Sequence, residues 1–132
     1  MESRLAELLS SLDPELVDDR FVFVNVPEGH YGDYDSMEPI ASFMENEGLT
    51  LVIRQESADQ VGMPYDSAFR KITLRVPSGL LDVGLTAAVA TKLTQRNIAA
   101  NVIAAYHHDH LFVPADRADE AIDALRELMA SG

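Results

Sequence analysis

VNVPEG at Val24–Gly29 and LRVPSG at Leu74–Gly79 are one phrase written twice, 50 residues apart. Val26, Pro27 and Gly29 return as Val76, Pro77 and Gly79. Outward from this phrase, Val52 and Ile53 return as Val102 and Ile103, and Asp59, Pro64, Asp66 and Ala68 return as Asp109, Pro114, Asp116 and Ala118. Read this way, the repeat needs no gap. A repeat of this length is one supersecondary unit used twice. A unit of about 50 residues is near the lower limit for an independent core. The two copies are therefore expected to share one core, and the seam between them is the expected place for a small ligand.

Local patterns give the elements of each copy. Leu5, Leu8, Leu9 and Leu12 recur at helical spacing and predict a short amphipathic helix, stopped by Asp13-Pro14. FVFVNV, Phe21–Val26, reads as a strand because it is rich in β-branched and aromatic residues. A turn-rich loop follows from Pro27 to Ser36. Met37–Asn46 reads as a helix with Ser36 as its N-cap, ended by Gly48. Leu49–Ile53 reads as a strand, and Gln55–Phe69 as mostly linker with room for one short element. In the second copy Ile72–Val76 is a strand and Pro77–Gly79 a tight turn. Leu81, Leu85, Val89 and Leu93 then recur every fourth residue, widened by Ala87, Ala88 and Ala90, which predicts a largely buried helix. Asn101–Ala105 and Leu111–Val113 are strands joined by a hairpin turn at His107–His110. Asp116 is the expected cap of a last helix whose core face carries Ala118, Ala121, Ile122, Leu125, Leu128 and Met129.

Composition excludes several roles. The net charge is −12, and no cluster of Lys or Arg offers the basic face that a nucleic-acid backbone or an anionic membrane needs. No apolar run approaches the roughly 20 residues of a membrane span. The acidic start, interrupted by Asp13-Pro14, does not read as a signal peptide. There is no cysteine, which removes disulfides, thiolate metal sites and cysteine nucleophiles together. A cytoplasmic location is the expectation. Asp outnumbers Glu, and Lys71 and Lys92 are the two lysines. That bias suits a high-salt interior, and it equally suits ordinary solubility.

The residues also carry a resemblance. A strand, a turn ending in Gly79-Leu80-Leu81, a helix, and then Asn97-Ile98 leading to Asn101-Val102 resemble an ACT domain. Val76–Leu81 resembles that family's x-x-P-G-L-L stretch. The run from Val83 through His107, His108, Asp109 and His110 to Ala121 is similar to a group of small stand-alone bacterial and archaeal proteins. Those are described as tandem, partly swapped ACT-like domains, mostly of unknown function. The resemblance is strong over 72–128 and looser over 21–53. It implies an α+β, ferredoxin-like fold of tandem, swapped or intrachain, βαββαβ units, with 1–66 as the first unit, carrying the N-terminal helix, and 67–132 as the second. It also implies a regulatory role through amino-acid binding. Two departures stand out. Pro77-Ser78 stands where the family has an acid before the glycine, and the chain ends on a helix, leaving a final strand to the other copy or another subunit.

Three places carry candidate chemistry. The first is the turn with its following residues: Pro77, Ser78, Gly79, Leu80, Asp82, Val83 and Gly84, with Asn101. Gly79 lets a ligand approach the backbone, and the free amides that open the next helix can hold a carboxylate. Asp82 could pair with an amino group and Asn101 with either end of an amino acid. Gly79 also serves a tight turn, and Asp82 also suits the helix dipole. The second place is the matching loop Pro27–Gly32, where Glu28 and Tyr31 either line a second pocket or form an ordinary surface loop. The third is His107, His108, Asp109 and His110. Strand alternation lets His108 and His110 share a face, which makes them the candidate metal ligands; a polar hairpin turn is the plainer account.

No nucleophile elbow, phosphate loop or dinucleotide fingerprint is present, so the expectation is a non-enzyme without a cofactor. The reading is a sensor that binds an amino acid or a similar small metabolite where two ACT-like units meet, and that forms a homodimer. A metal protein or metal-dependent enzyme using the His107–His110 turn, and a purely structural interaction protein, are the alternatives.

Overall fold

The computed structural model describes residues 3–77 and 79–131. They form α1 (Ser3–Ser10), β1 (Pro14–Val26), a 3-10 turn (Asp35–Met37), β2 (Ala41–Glu45), β3 (Gly48–Arg54), α2 (Gln55–Val61), β4 (Phe69–Leu74), α3 (Leu85–Gln95), β5 (Asn101–Ala104), β6 (Asp109–Pro114), a second 3-10 turn (Ala115–Arg117) and α4 (Ala118–Ser131). Two compact units result, one of residues 19–69 and one of residues 1–18 with 70–132. β1 begins in the second of these and ends in the first.

In the 19–69 unit the strand order is β2-β3-β1. β1 pairs antiparallel with β3 from Phe21↔Arg54 to Val26↔Leu49, and β3 with β2 from Ala41↔Val52 to Glu45↔Gly48. One sheet face sends Val22, Val24, Leu49, Leu51 and Ile53 into a core with Ala58 of α2. Period-two alternation puts these five side chains on one side.

The expected helix at Met37–Asn46 is overturned. Only one 3-10 turn forms there, and Ala41–Glu45 is an edge strand. Ala, Met and Glu favour helix in isolation. Pairing with β3 overrides that preference, because β3 would otherwise leave its ladder groups unpaired.

In the other unit the order is β1-β4-β6-β5. β5 and β6 are an antiparallel hairpin from Asn101↔Phe112 to Ala104↔Asp109. Leu8 of α1, Leu85, Val89 and Leu93 of α3, and Ala121 and Leu125 of α4 are all buried in one core with Ile72, Leu74, Leu111 and Val113. Leu81 was expected to head the α3 stripe. It precedes the helix and is 93% exposed. Ala87 is also exposed, so α3 buries one narrow row and is not largely buried. Asp116 lies inside the 3-10 turn before α4 and does not cap it; Pro114 stands at that N-cap, with no side-chain cap bond.

Both copies of the repeat run strand, connector, strand, strand, helix. The gapless alignment nevertheless fails after the first strand. Asp59 is in α2, whereas Asp109 is in β6. The topology equates β1 with β4, β2 with β5, β3 with β6 and α2 with α4. The second copy is longer in its connector, where it holds α3. Beyond that point the correspondence is 60 residues: Leu51-Val52-Ile53 matches Leu111-Phe112-Val113, and Ala58-Asp59 matches Ala118-Asp119. Burial repeats position for position between 51–60 and 111–120.

Candidate functional site

Val76 is buried, and Pro77 has no amide to extend the β4 ladder. The chain turns there. The Asp82 amide donates to the Gly79 carbonyl at 3.1 Å, and the Gly79 amide donates to Asp82 Oδ2 at 2.6 Å. Gly84 ends the turn at φ +100° and stands at the N-cap of α3. A Cβ there would lie 3.1 Å from Leu5 Cδ2, so both the dihedral and the space call for glycine.

Arg4 of α1 reaches across to this turn. Its Nη2 donates to Asp82 Oδ2 at 3.1 Å and to the Pro77 carbonyl at 3.4 Å, and its Nε donates to Asp82 Oδ1 at 3.4 Å. The hydrogen bond from Arg4, and then that from the Gly79 amide, hold the Asp82 carboxyl below the usual carboxylate range. The same partnership raises Arg4.

A cleft of about 70 Å³ opens beside the turn. Gly79, Leu80 and Asp82 line one part of it, Leu85 and Thr86 of α3 another, and Ala104, Ala105 and Asp109 of the β5–β6 hairpin the rest. A wider, open basin of about 460 Å³ is also bounded by Gly79 and Leu80, together with Pro77, Tyr106 and His107. Leu85 and Thr86 open α3, where a helix's amides have no partner inside the helix. The cleft thus sets two carboxylates, Asp82 and Asp109, near the positive end of a helix.

Of the residues singled out in the sequence, Pro77, Gly79, Leu80 and Asp82 meet at the cleft and basin. Ser78 lies outside the described residues. Val83 is 85% exposed and lines neither hollow. Gly84 borders a separate groove with Leu5, Lys92 and Leu128. Asn101 sits at the far end of β5, about 10 Å along the strand from Ala104 at 3.3 Å per residue.

Arg4, Thr86 and Asp109 were not assigned to this site. The signals were present: Arg4 is the lone cation among the first 19 residues, and Asp109 shares the inward alternation of Leu111 and Val113.

The histidines divide. The Ala105 amide donates to the His108 carbonyl and closes the hairpin turn. The exposed His107 meets Tyr106 edge-on at 5.0 Å. His110 Nδ1 lies 3.0 Å from Thr73 Oγ1, and burial, followed by the charges of Lys71 and His108, pushes its pKa down. His108 Nδ1 is buried and has no hydrogen-bond partner among the described residues. Among those residues no three His, Asp or Glu side chains converge as metal ligands. In the first copy, Glu28 is exposed, and the Tyr31 hydroxyl accepts the Met44 amide at 2.8 Å.

Comparison with known proteins places this geometry in context. Residues 2–70 match a family model described as an ACT domain, and residues 65–127 match a second one. No curated protein sequence matches the chain. A crystal structure of a protein of unknown function from Vibrio cholerae, described as a possible transport protein, is 51% identical. It covers 92% of this chain and 93% of its own, at a TM-score of 0.84. A protein from Agrobacterium tumefaciens is 15% identical, covering 88% of this chain and 87% of its own at a TM-score of 0.74. The regulatory subunit of aspartate kinase from Thermus thermophilus is 9% identical, with 89% and 97% covered at a TM-score of 0.63. These last two likenesses concern the fold.

Proposed function

This chain belongs to the ACT-domain family, and we propose that it is a non-catalytic cytoplasmic sensor whose cleft beside Gly79 binds a free amino acid or a similar small zwitterion. Modules of this family are typically regulatory and bind amino acids, and the aspartate kinase regulatory subunit shares the fold. The observation that carries the reading is the meeting of Asp82, Asp109 and the start of α3 around one cleft. A ligand ammonium would lie against the carboxylates. Its carboxylate would take the first amides of α3 and the Thr86 hydroxyl. Its side chain would extend into the basin bounded by Pro77, Tyr106 and His107. In this reading the modules are 1–66 and 67–132, with α1 packed into the core of the second, where the site lies.

Signalling follows from association in this proposal. Leu80, Leu81, Val83 and Tyr106 are 67%, 93%, 85% and 79% exposed. Leu80 and Tyr106 border the hollows, and with Leu81 and Val83, which are adjacent in sequence to Asp82, they offer apolar surface that a second copy of the chain would cover. A ligand that favours the covered state shifts the monomer–dimer balance by its difference in affinity for the two.

Calorimetric titration of the protein with each of the twenty common L-amino acids tests the binding. Heat is expected for a small subset. Asp109→Asn should weaken that binding about 10-fold or more, the scale of one charged hydrogen bond. A flat response to all twenty refutes the sensor reading and leaves an interaction module.

A further inference from the structure

The cleft's aspartate is already occupied by a cation of the protein itself. Asp82 Oδ2 takes both the Gly79 amide and Arg4 Nη2, and Oδ1 takes Arg4 Nε. A carboxylate offers about four acceptor positions, so three of them are committed. The Asp82 side chain keeps 22% exposure, while Arg4 keeps 59%. Arg4 is thus the more exposed member of the pair, and the carboxylate that it holds lines the cleft. Its Nη2 also reaches the Pro77 carbonyl, so one side chain ties both ends of the turn to α1.

We propose that Arg4 is a built-in competitor for the amino end of the site: its guanidinium occupies the Asp82 carboxylate that a ligand ammonium would use, and ligand and Arg4 exchange there. This rests on the sensor reading above. An ammonium arriving at Asp82 meets a charge that is already neutralised, together with a second cation a few ångströms away. Arg4 therefore lowers affinity and raises the concentration at which the sensor responds. Because Arg4 is carried by α1, next to Leu5 that packs on Gly84, its release also frees the turn from α1. Ligand arrival then becomes a change in how the turn is tethered. The contact is exposed, and exposed ion pairs are weak, so the tax on binding is about two- to fivefold.

The test uses the full chain in four forms: wild type, Arg4→Gln, Asp82→Asn and the double variant. Each is titrated by calorimetry with the twenty L-amino acids. Glutamine keeps a donor for the Pro77 carbonyl while removing the charge, and Arg4→Ala serves as a second form. Arg4→Gln is expected to bind the same amino acid about two- to fivefold tighter than wild type, and the gain should vanish in the Asp82→Asn background. Equal or weaker binding by both Arg4 variants overturns the competitor role while leaving the sensor reading in place. A gain that persists without Asp82 overturns it as well. Silence from all the proteins refutes the sensor reading and takes this inference with it.

Discussion

Replacing Gly48 by alanine separates steric necessity from mere dihedral preference in the hairpin that the first copy builds in place of a helix. Gly48 opens β3 opposite Glu45, at φ +132°. An added Cβ would lie 2.6 Å from Pro27 Cα and 2.6 Å from the Val26 carbonyl oxygen. Both are backbone atoms and cannot swing aside. A dihedral that L-residues rarely adopt costs about 1–3 kcal/mol. An overlap of this depth in a packed place costs about another 1–3 kcal/mol. The expected loss is therefore about 2–6 kcal/mol, a large share of the roughly 5–15 kcal/mol that holds a domain folded. Gly62 is the control. It also has positive φ, at +71°, but nothing lies within 4 Å of its Cβ position. As the left-handed C-cap of α2 it should lose only about 1 kcal/mol as alanine. Urea unfolding followed by circular dichroism reads both. At about 2 kcal/mol per molar, Gly48→Ala should lower the midpoint by about 2 M and Gly62→Ala by about 0.5 M. Equal shifts would refute the clash argument and reduce Gly48 to an ordinary turn glycine.

Other expectations follow from the same structure. Leu93→Ala, at a fully buried position of α3, should cost about 2–5 kcal/mol in urea unfolding. Leu81→Ala, four-residue periodicity notwithstanding, should stay within about 0.5 kcal/mol. His110 has a folded pKa below 6.5, so unfolded chains take up its proton first as pH falls. Its contribution is complete above pH 6.5 and is lost below it, toward the lower folded value. His110→Gln, facing Thr73, Lys71 and His108, should flatten the fall in urea midpoint between pH 7.5 and 5.5; an unchanged slope argues against it. Added KCl should raise the melting temperature, because a net charge of −12 repels itself and salt screens it. Screening also weakens exposed pairs such as Arg54–Glu38 and Arg75–Asp13, so a fall in melting temperature would mean that the pairs outweigh the repulsion.

The strands with a buried face were legible. Phe21–Val26, Leu49–Ile53 and Leu111–Val113 are runs of β-branched and aromatic residues, and all lie in β1, β3 and β6. β2 was illegible because none of its five residues is buried, so it has no period of two to read. α2 buries only Ala58 and leaves almost no stripe. Leu81 misled in the opposite sense: it kept the four-residue period while the chain was still turning, and only Gly84 marks where the helix can begin. At the site, the glycine turn and Asp82 were readable as local chemistry. Asp109 was not, since its neighbours His107, His108 and His110 drew it into a metal reading, and its cleft-facing position depends on the register with Ala104.

The repeated Pro-x-Gly phrase shows why one copy carries a candidate site and its twin need not. The amide of Gly29 donates to the Val26 carbonyl, and its Cβ position lies 3.0 Å from Val26 Cγ1 and 3.2 Å from Leu49 Cβ. There the glycine exists to let side chains close over it. At Gly79, its chain neighbours apart, the nearest atom among the described residues to the same position is Asp82 Oδ2 at 3.8 Å, and Gly79 lines the cleft. The sequence difference responsible lies downstream. The first copy follows its turn with a 3-10 turn and an edge strand, whereas the second follows it with Gly84 and an 11-residue helix. Only the second arrangement brings helix amides to the glycine. Two nearly identical phrases thus acquire different roles from their connectors: one glycine lets neighbouring side chains pack closely, and the other leaves space beside charged groups.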